Sequence, residues 1–312
     1  MRVTQNMVSN QFLYDLTLLN QNMVNQENQI STGKSLNLPS DNPLGVNQVM
    51  ATSNLISQSN IFATTISNGL SWMQTTSSVM TEISQSLQSI QSDLISALNT
   101  TNQTTNSREA LSATVKQYAQ QIYTLLNTQQ GDQYIFGGAT DSLAPSVSLT
   151  GSDVGFTMTS ANVSTGLSGT IDFQVSQSIN ININVNAYSI MLDPLPSGTS
   201  TTATLQTTLQ QIVGDIVSGT EGSMQGDLQN IQAAISNMTN LSTDLGARIQ
   251  RMTAMQTQTS QYTMNLTNEK GVIEDANMAQ VITQFNTDQI AYQAALKMGS
   301  QILLPTLVNY LP

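Results

Sequence analysis

Gly33-Lys34-Ser35 is the tripeptide of this chain that most resembles the end of a phosphate-binding loop. Such a loop needs G-x-x-x-x-G-K-[ST] between a strand and a helix, because successive backbone N–H groups must wrap the phosphates. The position of the first glycine is Asn28, the residues before it repeat with helical period, and Pro39 and Pro43 follow where a helix N-terminus would have to face the anion. The stretch reads instead as a helix stopped by Gly33 and followed by a proline-marked turn. The remaining candidates are carboxylates. Asp132, Asp172 and Asp193 lie in or near a strand-like region and are the acids an enzyme would pair. The chain has no Cys and no His, which removes thiolate nucleophiles, imidazole bases, disulfides and the usual zinc ligands. Solvated loop carboxylates need no chemistry to account for them. No catalytic residue, cofactor or metal site is expected.

The elements that would carry any site are helices of unusual composition. Over 312 residues the net charge is −11, which argues against nucleic acid and anionic membrane surfaces as partners. Only 9% of residues are charged, so the polarity comes from Gln, Asn, Ser and Thr. No apolar run is long enough to span a membrane, and "MRVTQNMVSNQFLYDL" has no apolar core of a cleaved signal peptide, so secretion by that route is not expected.

The apolar residues are strongly patterned. Val8, Phe12, Leu16, Leu19, Met23, Gln26 and Ile30 alternate steps of four and three, a coiled-coil seam closed by Gly33. A second helical region opens after Pro43 and carries Leu55, Phe62, Ile66, Leu70, Met73, Met80, Ile83, Leu87, Ile90, Leu94 and Ala97. The polar run Asn99 to Ser107 reads as a turn, and Leu111, Val115, Tyr118, Ile122 and Leu125 mark a third helix stopping near Gly131. Period two then replaces period 3.6: Ile171, Phe173, Val175, Ile179, Ile181, Ile183 and Val185 all fall on odd positions, as in strands with one buried face. Helical period returns with Leu205, Leu209, Ile212 and Ile216, and then with Leu228, Ile231, Ile235, Met238, Leu241, Leu245 and Ile249, a stripe that Gly271 is expected to interrupt. The last helix repeats Met278, Ile282, Phe285, Gln289, Tyr292, Leu296, Gly299 and Leu303 before Pro305.

The expected architecture is mainly α: a long coiled-coil-like bundle built from both chain ends, with a small inserted β domain. Three domains are expected, 1–45 with 271–312, 46–140 with 201–270, and 141–200 as the insert. The simplest way to hide the two terminal seams is to pack the first helix against the last. One seam each is little apolar area for helices of this length, whose ordering costs about 1–2 kcal/mol per residue. Leu13, Leu18 and Val24 on the first helix, and Val281 and Ile302 on the last, are left on the opposite faces. The terminal pair is therefore expected to be marginal in a lone molecule and to need neighbouring copies. Arg248 and Arg251, notable in a charge-poor chain, are either a surface ion pair or a contact between packed helices or subunits.

Taken in order, four stretches and the chain's ending resemble the bacterial flagellin family. "QISTGKSLNLPSDNPLG" fits its turn after the N-terminal helix through Thr32, Gly33, Asn37, Pro39, Asp41, Pro43 and Gly45, with Asn42 where a second Asp is usual. "SNGLSWMQTT" (67–76) resembles the second helix, and "QYIFGG" (133–138) the turn of the branch found between hook and filament. "IEDANMAQVITQFNTDQIAYQAALKMGSQI" (273–302) resembles the C-terminal helix, with Asn277 where Asp is often seen, and "LVNYL" again suits the junction branch. The resemblance covers both helical arms, about three quarters of the chain. It implies a structural protein, secreted and extracellular, joining the hook region to the filament, or else a filament flagellin. It implies as partners a hook-side associated protein, flagellin, copies of itself in a ring, an export chaperone and the flagellar type III export apparatus, with no nucleic acid and no membrane insertion. The implied assembly interface is Val8, Phe12, Leu16, Leu19, Met23, Ile30, Met278, Ile282, Phe285, Tyr292, Leu296 and Leu303, in helices that order on polymerisation. The β insert, which could instead bind a ligand or host surface, matches no motif.

Overall fold

The computed structural model describes residues 5–40, 42–99, 104–139, 169–195 and 203–302. Seven helices and four short strands follow in order: α1 (Gln5–Thr32), α2 (Pro43–Leu98), α3 (Thr105–Leu126), β1 (Gln129–Gln130), β2 (Gln133–Tyr134), β3 (Asp172–Ser176), β4 (Ile179–Asn182), α4 (Ala187–Met191), α5 (Leu205–Ser218), α6 (Glu221–Glu274) and α7 (Met278–Ile302). The fold is mainly α, with long helices from both ends and two small antiparallel hairpins. The chain divides into two compact units, 1–60 with 261–312 and 61–260. Helices α2 and α6 contribute residues to both.

In helices this rich in Ser and Thr, many hydroxyls turn inward on their own backbone. Thr17, Ser57, Thr75, Ser86, Thr239 and Thr253, among others, donate to the carbonyl four residues earlier at 2.8–3.0 Å. The hydroxyl is thereby satisfied without a partner element.

The 61–260 unit owns a dry core. From α2 come Ile66, Met73, Met80, Ile83, Leu87, Ile90 and Leu94, all with no exposed surface. From α6 come Met224, Ile231, Met238, Leu245 and Met252, one per heptad. The expected stripe residues Leu228, Ile235, Leu241 and Ile249 flank them, half-buried against the same core. Helices α3 and α5 add Val115, Ile122 and Leu126, and Leu209, Ile212 and Ile216. Helix α3 ends at Leu126, short of Gly131, and Gly131 (φ 66°) instead turns the β1–β2 hairpin. Directly after it Ile135 and Phe136 are fully buried, so the "QYIFGG" stretch is a core anchor.

The strand-like stretch forms the β3–β4 hairpin, pairing Phe173 with Ile181 and carrying a bulge between Gln174 and Ser176. Its seven odd-numbered apolar residues are buried or half-buried against the helical core. Gly69 of α2 makes room for it: a Cβ there would lie 3.2 Å from the Phe173 ring and 3.0 Å from Met252 Cε. Arg248 fastens the hairpin to α6, donating to Asn182 Oδ1, to the Asn184 carbonyl at 3.2 Å and to Asp244 in an i,i+4 pair. It therefore joins elements of one chain, and Arg251 is exposed.

The expected break at Gly271 does not occur. Helix α6 runs through Gly222, Gly226, Gly246 and Gly271 to Glu274. A mid-helix glycine costs about 1 kcal/mol relative to alanine, which tertiary packing outweighs here.

One buried group is electrostatically unfavourable. Asp227 of α6 is buried beside Asp215 of α5, and its Oδ2 lacks a donor. Burial first, then the charge and hydrogen bond of Asp215, push its carboxyl up to about 7. Its folded value lies above its unfolded value, so the native state holds the proton longer. Stability is highest below the ordinary carboxylate range and falls as pH rises from about 4 to about 7. Asp227→Asn is expected to flatten that slope and to raise stability at pH 8 by on the order of 1–3 kcal/mol, read as the urea midpoint of Trp72 fluorescence at pH 5 and pH 8.

Candidate assembly interface

The terminal unit is held at its base by a clasp between the end of α1 and the end of α6. Gly33 (φ 72°) takes the left-handed conformation that ends α1, its N–H donating to Gln29 O at 2.8 Å. Two further backbone bonds cross to the other arm, Ser35 N–H to Glu274 O at 2.7 Å and Ala276 N–H to Gly33 O at 2.9 Å, around the antiparallel bridge Lys34–Asp275. Ser35 Oγ also donates to Glu274 O at 3.0 Å. Lys34 Nζ sits 2.6 Å from Glu274 Oε1, and Lys270 Nζ 3.5 Å from its Oε2. The hydrogen bond and charge of Glu274 raise the Lys34 ammonium above its usual range, and Lys34 lowers Glu274. A phosphate reading fails on this geometry: the lysine is engaged, and the helix end beside it is a C-terminus, whose partial charge repels anions.

The turn is wired locally. Thr32 Oγ1 lies 2.8 Å from Asn37 Oδ1, and Asn37 Nδ2 donates to Lys34 O at 3.2 Å. Asn42 Oδ1 accepts the Gly45 N–H at 3.1 Å, and its carbonyl accepts Val46 N–H at 2.9 Å, with Pro43 at the first helical position. Gly45 is buried, and a Cβ there would lie 3.0 Å from Leu36 Cδ1. Asn277 does the same at the start of α7, accepting Gln280 N–H at 3.3 Å. Both departures from the family pattern, Asn42 and Asn277, therefore fall on N-caps, where Asn and Asp serve about equally. Asp41 lies outside the described residues.

From the clasp α1 and α7 run antiparallel: Gly33 meets Ala276, Gln26 Nε2 donates to Asp288 Oδ2 at 2.6 Å, and Phe12 lies against Gly299. On α1 the half-buried stripe is Phe12, Leu16, Leu19, Met23, Gln26 and Ile30, as the spacing predicts, with Val8 exposed. On α7 the stripe differs from expectation. The half-buried or buried positions are Met278, Val281, Phe285, Asp288, Tyr292, Ala295 and Gly299, while Ile282 and Leu296 are exposed. Val281, expected on the outer face, is part of the seam. The bulk of Phe12 is received where α7 carries Gly299, which places Ala295 rather than Leu296 on the edge facing α1. Leu303 lies outside the described residues, as does Ile302's side chain.

The terminal unit lacks an interior. Among the described residues, seventeen of the twenty exposed large hydrophobic side chains belong to it, against Ile61, Ile95 and Val217 in the other unit. Its single buried hydrophobic residue among those described is Leu266. On the α2 segment of this unit the buried side chains are the small polar Thr52 and Ser59, the latter 2.6 Å from Thr263 Oγ1 of α6. Large side chains on the same helices, among them Leu44, Met50, Met264 and Val272, point to solvent. Sequence periodicity found the α1 seam but not this inverted segment, whose only sign was the small polar residues at heptad spacing.

The carboxylates of the enzyme reading are dispersed in role. Asp132 and Asp172 are exposed, the latter accepting from Asn182 Nδ2 at 3.3 Å, and burial raises Asp193. No helix among the described residues is long and apolar enough to cross a membrane.

Two family models match this arrangement, the bacterial flagellin N-terminal helical region over residues 3–141 and the C-terminal helical region over 228–311. The chain belongs to the bacterial flagellin family. Within that family it is similar to flagellar hook-associated protein 3 of Salmonella typhimurium, 21% identical over 95% of both chains. Among solved structures it resembles a flagellar hook-associated protein from Vibrio parahaemolyticus (TM-score 0.65, 16% identity, 75% of this chain and 99% of that one). It also resembles the flagellar junction protein FlgL from Legionella pneumophila (TM-score 0.59, 13% identity, 73% and 99%). These structures share its fold.

The Phe12–Gly299 contact is the tightest point of the seam. A Cβ at position 299 would lie 2.5 Å from Phe12 Cε1. Gly299→Ala is expected to weaken the α1–α7 pairing by about 1–3 kcal/mol, and Phe12→Leu in the same chain to restore part of it. Amide exchange of residues 8–30 reads both, with Trp72 fluorescence unchanged.

Proposed function

We propose that this chain is a structural subunit of the bacterial flagellum that joins the hook region to the flagellin filament, and not an enzyme. The observation that carries the assembly is the terminal unit's surface: among the described residues, nearly all the exposed large hydrophobic side chains sit on the unit that has almost no buried apolar residue of its own. Monomeric proteins rarely leave such surface uncovered. Copies of the same chain supply the cover when the terminal helices of neighbours pack side by side, and the 61–260 unit folds on its own core beforehand. Likeness to a hook-associated protein over 95% of both chains supports the junction over the filament itself.

On this reading Val8, Phe12, Leu16, Leu19, Met23, Ile30, Met278, Ile282, Phe285, Tyr292, Leu296 and Leu303 serve assembly in two ways. Those half-buried in the α1–α7 seam hold the arms together, and Val8, Ile282 and Leu296 face neighbouring copies. The subunit acts outside the cell, exported through the flagellar type III apparatus with a chaperone, and contacts a hook-side associated protein on one side and flagellin on the other. A chain without cysteine suits passage unfolded, since no disulfide has to form afterwards.

Amide exchange on the purified chain tests the ordering. Residues 1–32 and 277–312 are expected to exchange at least about a hundredfold faster than 60–130 and 228–265, and equal protection throughout would overturn the proposal. A chain lacking residues 1–32 is expected to keep the thermal transition of the remaining unit and to lose attachment to hooks. Purified wild type is expected not to extend filament seeds into long fibres; growth of such fibres would make it a filament subunit instead.

A further inference from the structure

Asp288 is the one ionisable carboxylate in the seam of α7, and it is satisfied from two sides. Gln26 Nε2 reaches its Oδ2 from α1 at 2.6 Å, and Gln284 Nε2 reaches its Oδ1 from its own helix at 3.2 Å. The pair does not maximise stability in the single chain, because Gln26 Oε1 is buried there without a donor. Polar residues at seam positions of coiled coils select partner and register at some cost in stability.

What this one selects against follows from the seam it sits in. When α7 faces α1, the carboxylate meets an amide donor. If α7 faced a second α7, it would meet an apolar side chain, the Tyr292 phenol at best, or the other Asp288 carboxylate at worst. Desolvating a carboxylate without a donor, or opposite its own kind, is strongly unfavourable. Helix α1 has no such residue: two copies of Gln26 can bond to each other, so α1 is not barred from itself. We infer that Asp288 is a partner-selecting residue, admitting α1 of its own or another copy against α7 and rejecting a second α7. This rests on the reading that terminal helices of different copies meet during assembly. The exposed apolar flank of Ile282 and Leu296 beside the seam makes unwanted α7–α7 pairing a real competitor.

The test uses the full chain, which has no cysteine, so a single introduced thiol carries the only label. Pyrene is placed at Gln293→Cys on the exposed side of α7 or, separately, at Asn20→Cys on that of α1. In the Asp288→Leu background, excimer emission from the α7 label is expected to rise at least about tenfold over wild type at equal protein concentration. That corresponds to about 1.4 kcal/mol in association. The α1 label is expected to stay within about twofold. Unchanged Trp72 emission shows that the 61–260 unit is intact. No rise at the α7 label, or an equal rise at both labels, overturns the assignment. Failure of the assembly reading is separate: it shows as protected termini in the unsubstituted chain by amide exchange, whatever Asp288→Leu does.

Discussion

Two helices packed side by side can each hide only one stripe. That geometric limit governs the terminal unit: α1 and α7 bury Phe12, Leu16, Leu19 and Phe285 halfway, and Leu13, Tyr14, Leu18 and Ile290 remain in water. A third or fourth helix would close such a bundle. In the 61–260 unit that closure is made within the chain, since α2, α3, α5, α6 and the β3–β4 hairpin all present faces to one core. In the terminal unit the pairing of α1 with α7 leaves those side chains exposed, and on the proposed reading neighbouring copies cover them.

The clasp at Gly33–Ser35 and Glu274–Ala276 is the counterpart of that exposure. It uses backbone hydrogen bonds and a carboxylate shared by Lys34 and Lys270, interactions that hold irrespective of whether the seam above is buried. An exposed ion pair alone contributes little, but here it reinforces a backbone bridge.

Much of this was legible in the residues. The stripes of α3 and α5 and the odd-position face of the hairpin each follow from a single period, and the seam of α1 follows from its alternating fours and threes even though Leu13, Leu18 and Val24 lie on its other face. Helix α7 was read one position off at alternate turns, since it carries apolar residues on two adjacent edges. Phe12 against Gly299 and Gln26 on Asp288 fix which edge faces α1, and Val281 and Ala295 share that edge while Ile282 and Leu296 do not. Gly271 misled for a related reason: helix propensity is local, and the real boundary is set three residues later by the clasp and the Asn277 cap. Arg248 could be seen to matter, but its partners Asn182 and Asn184 are 66 and 64 residues away in sequence. The buried Thr52 and Ser59 were invisible to any search for apolar periodicity.

The scarcity of charge takes on meaning in the same frame. Identical chains carry identical charges, so every uncompensated group on a surface shared between copies repels its own image. The described part of the terminal unit holds nine charged side chains in all: Asp15, Glu27, Lys34, Glu269, Lys270, Glu274, Asp275, Asp288 and Lys297. Several are already engaged inside the chain. Lys34 and Lys270 close on Glu274, Asp288 accepts from Gln26 and Gln284, and Asp15 accepts from Gln11 at 2.9 Å. What faces outward is mainly amide, hydroxyl and aliphatic. Such a surface stays wetted through Gln, Asn, Ser and Thr while the subunit is alone, and it offers little repulsion when a second copy approaches. A charged surface of equal polarity would keep the lone subunit soluble too, but it would oppose the association by which, on the proposed reading, Leu13, Leu18 and Ile290 are buried.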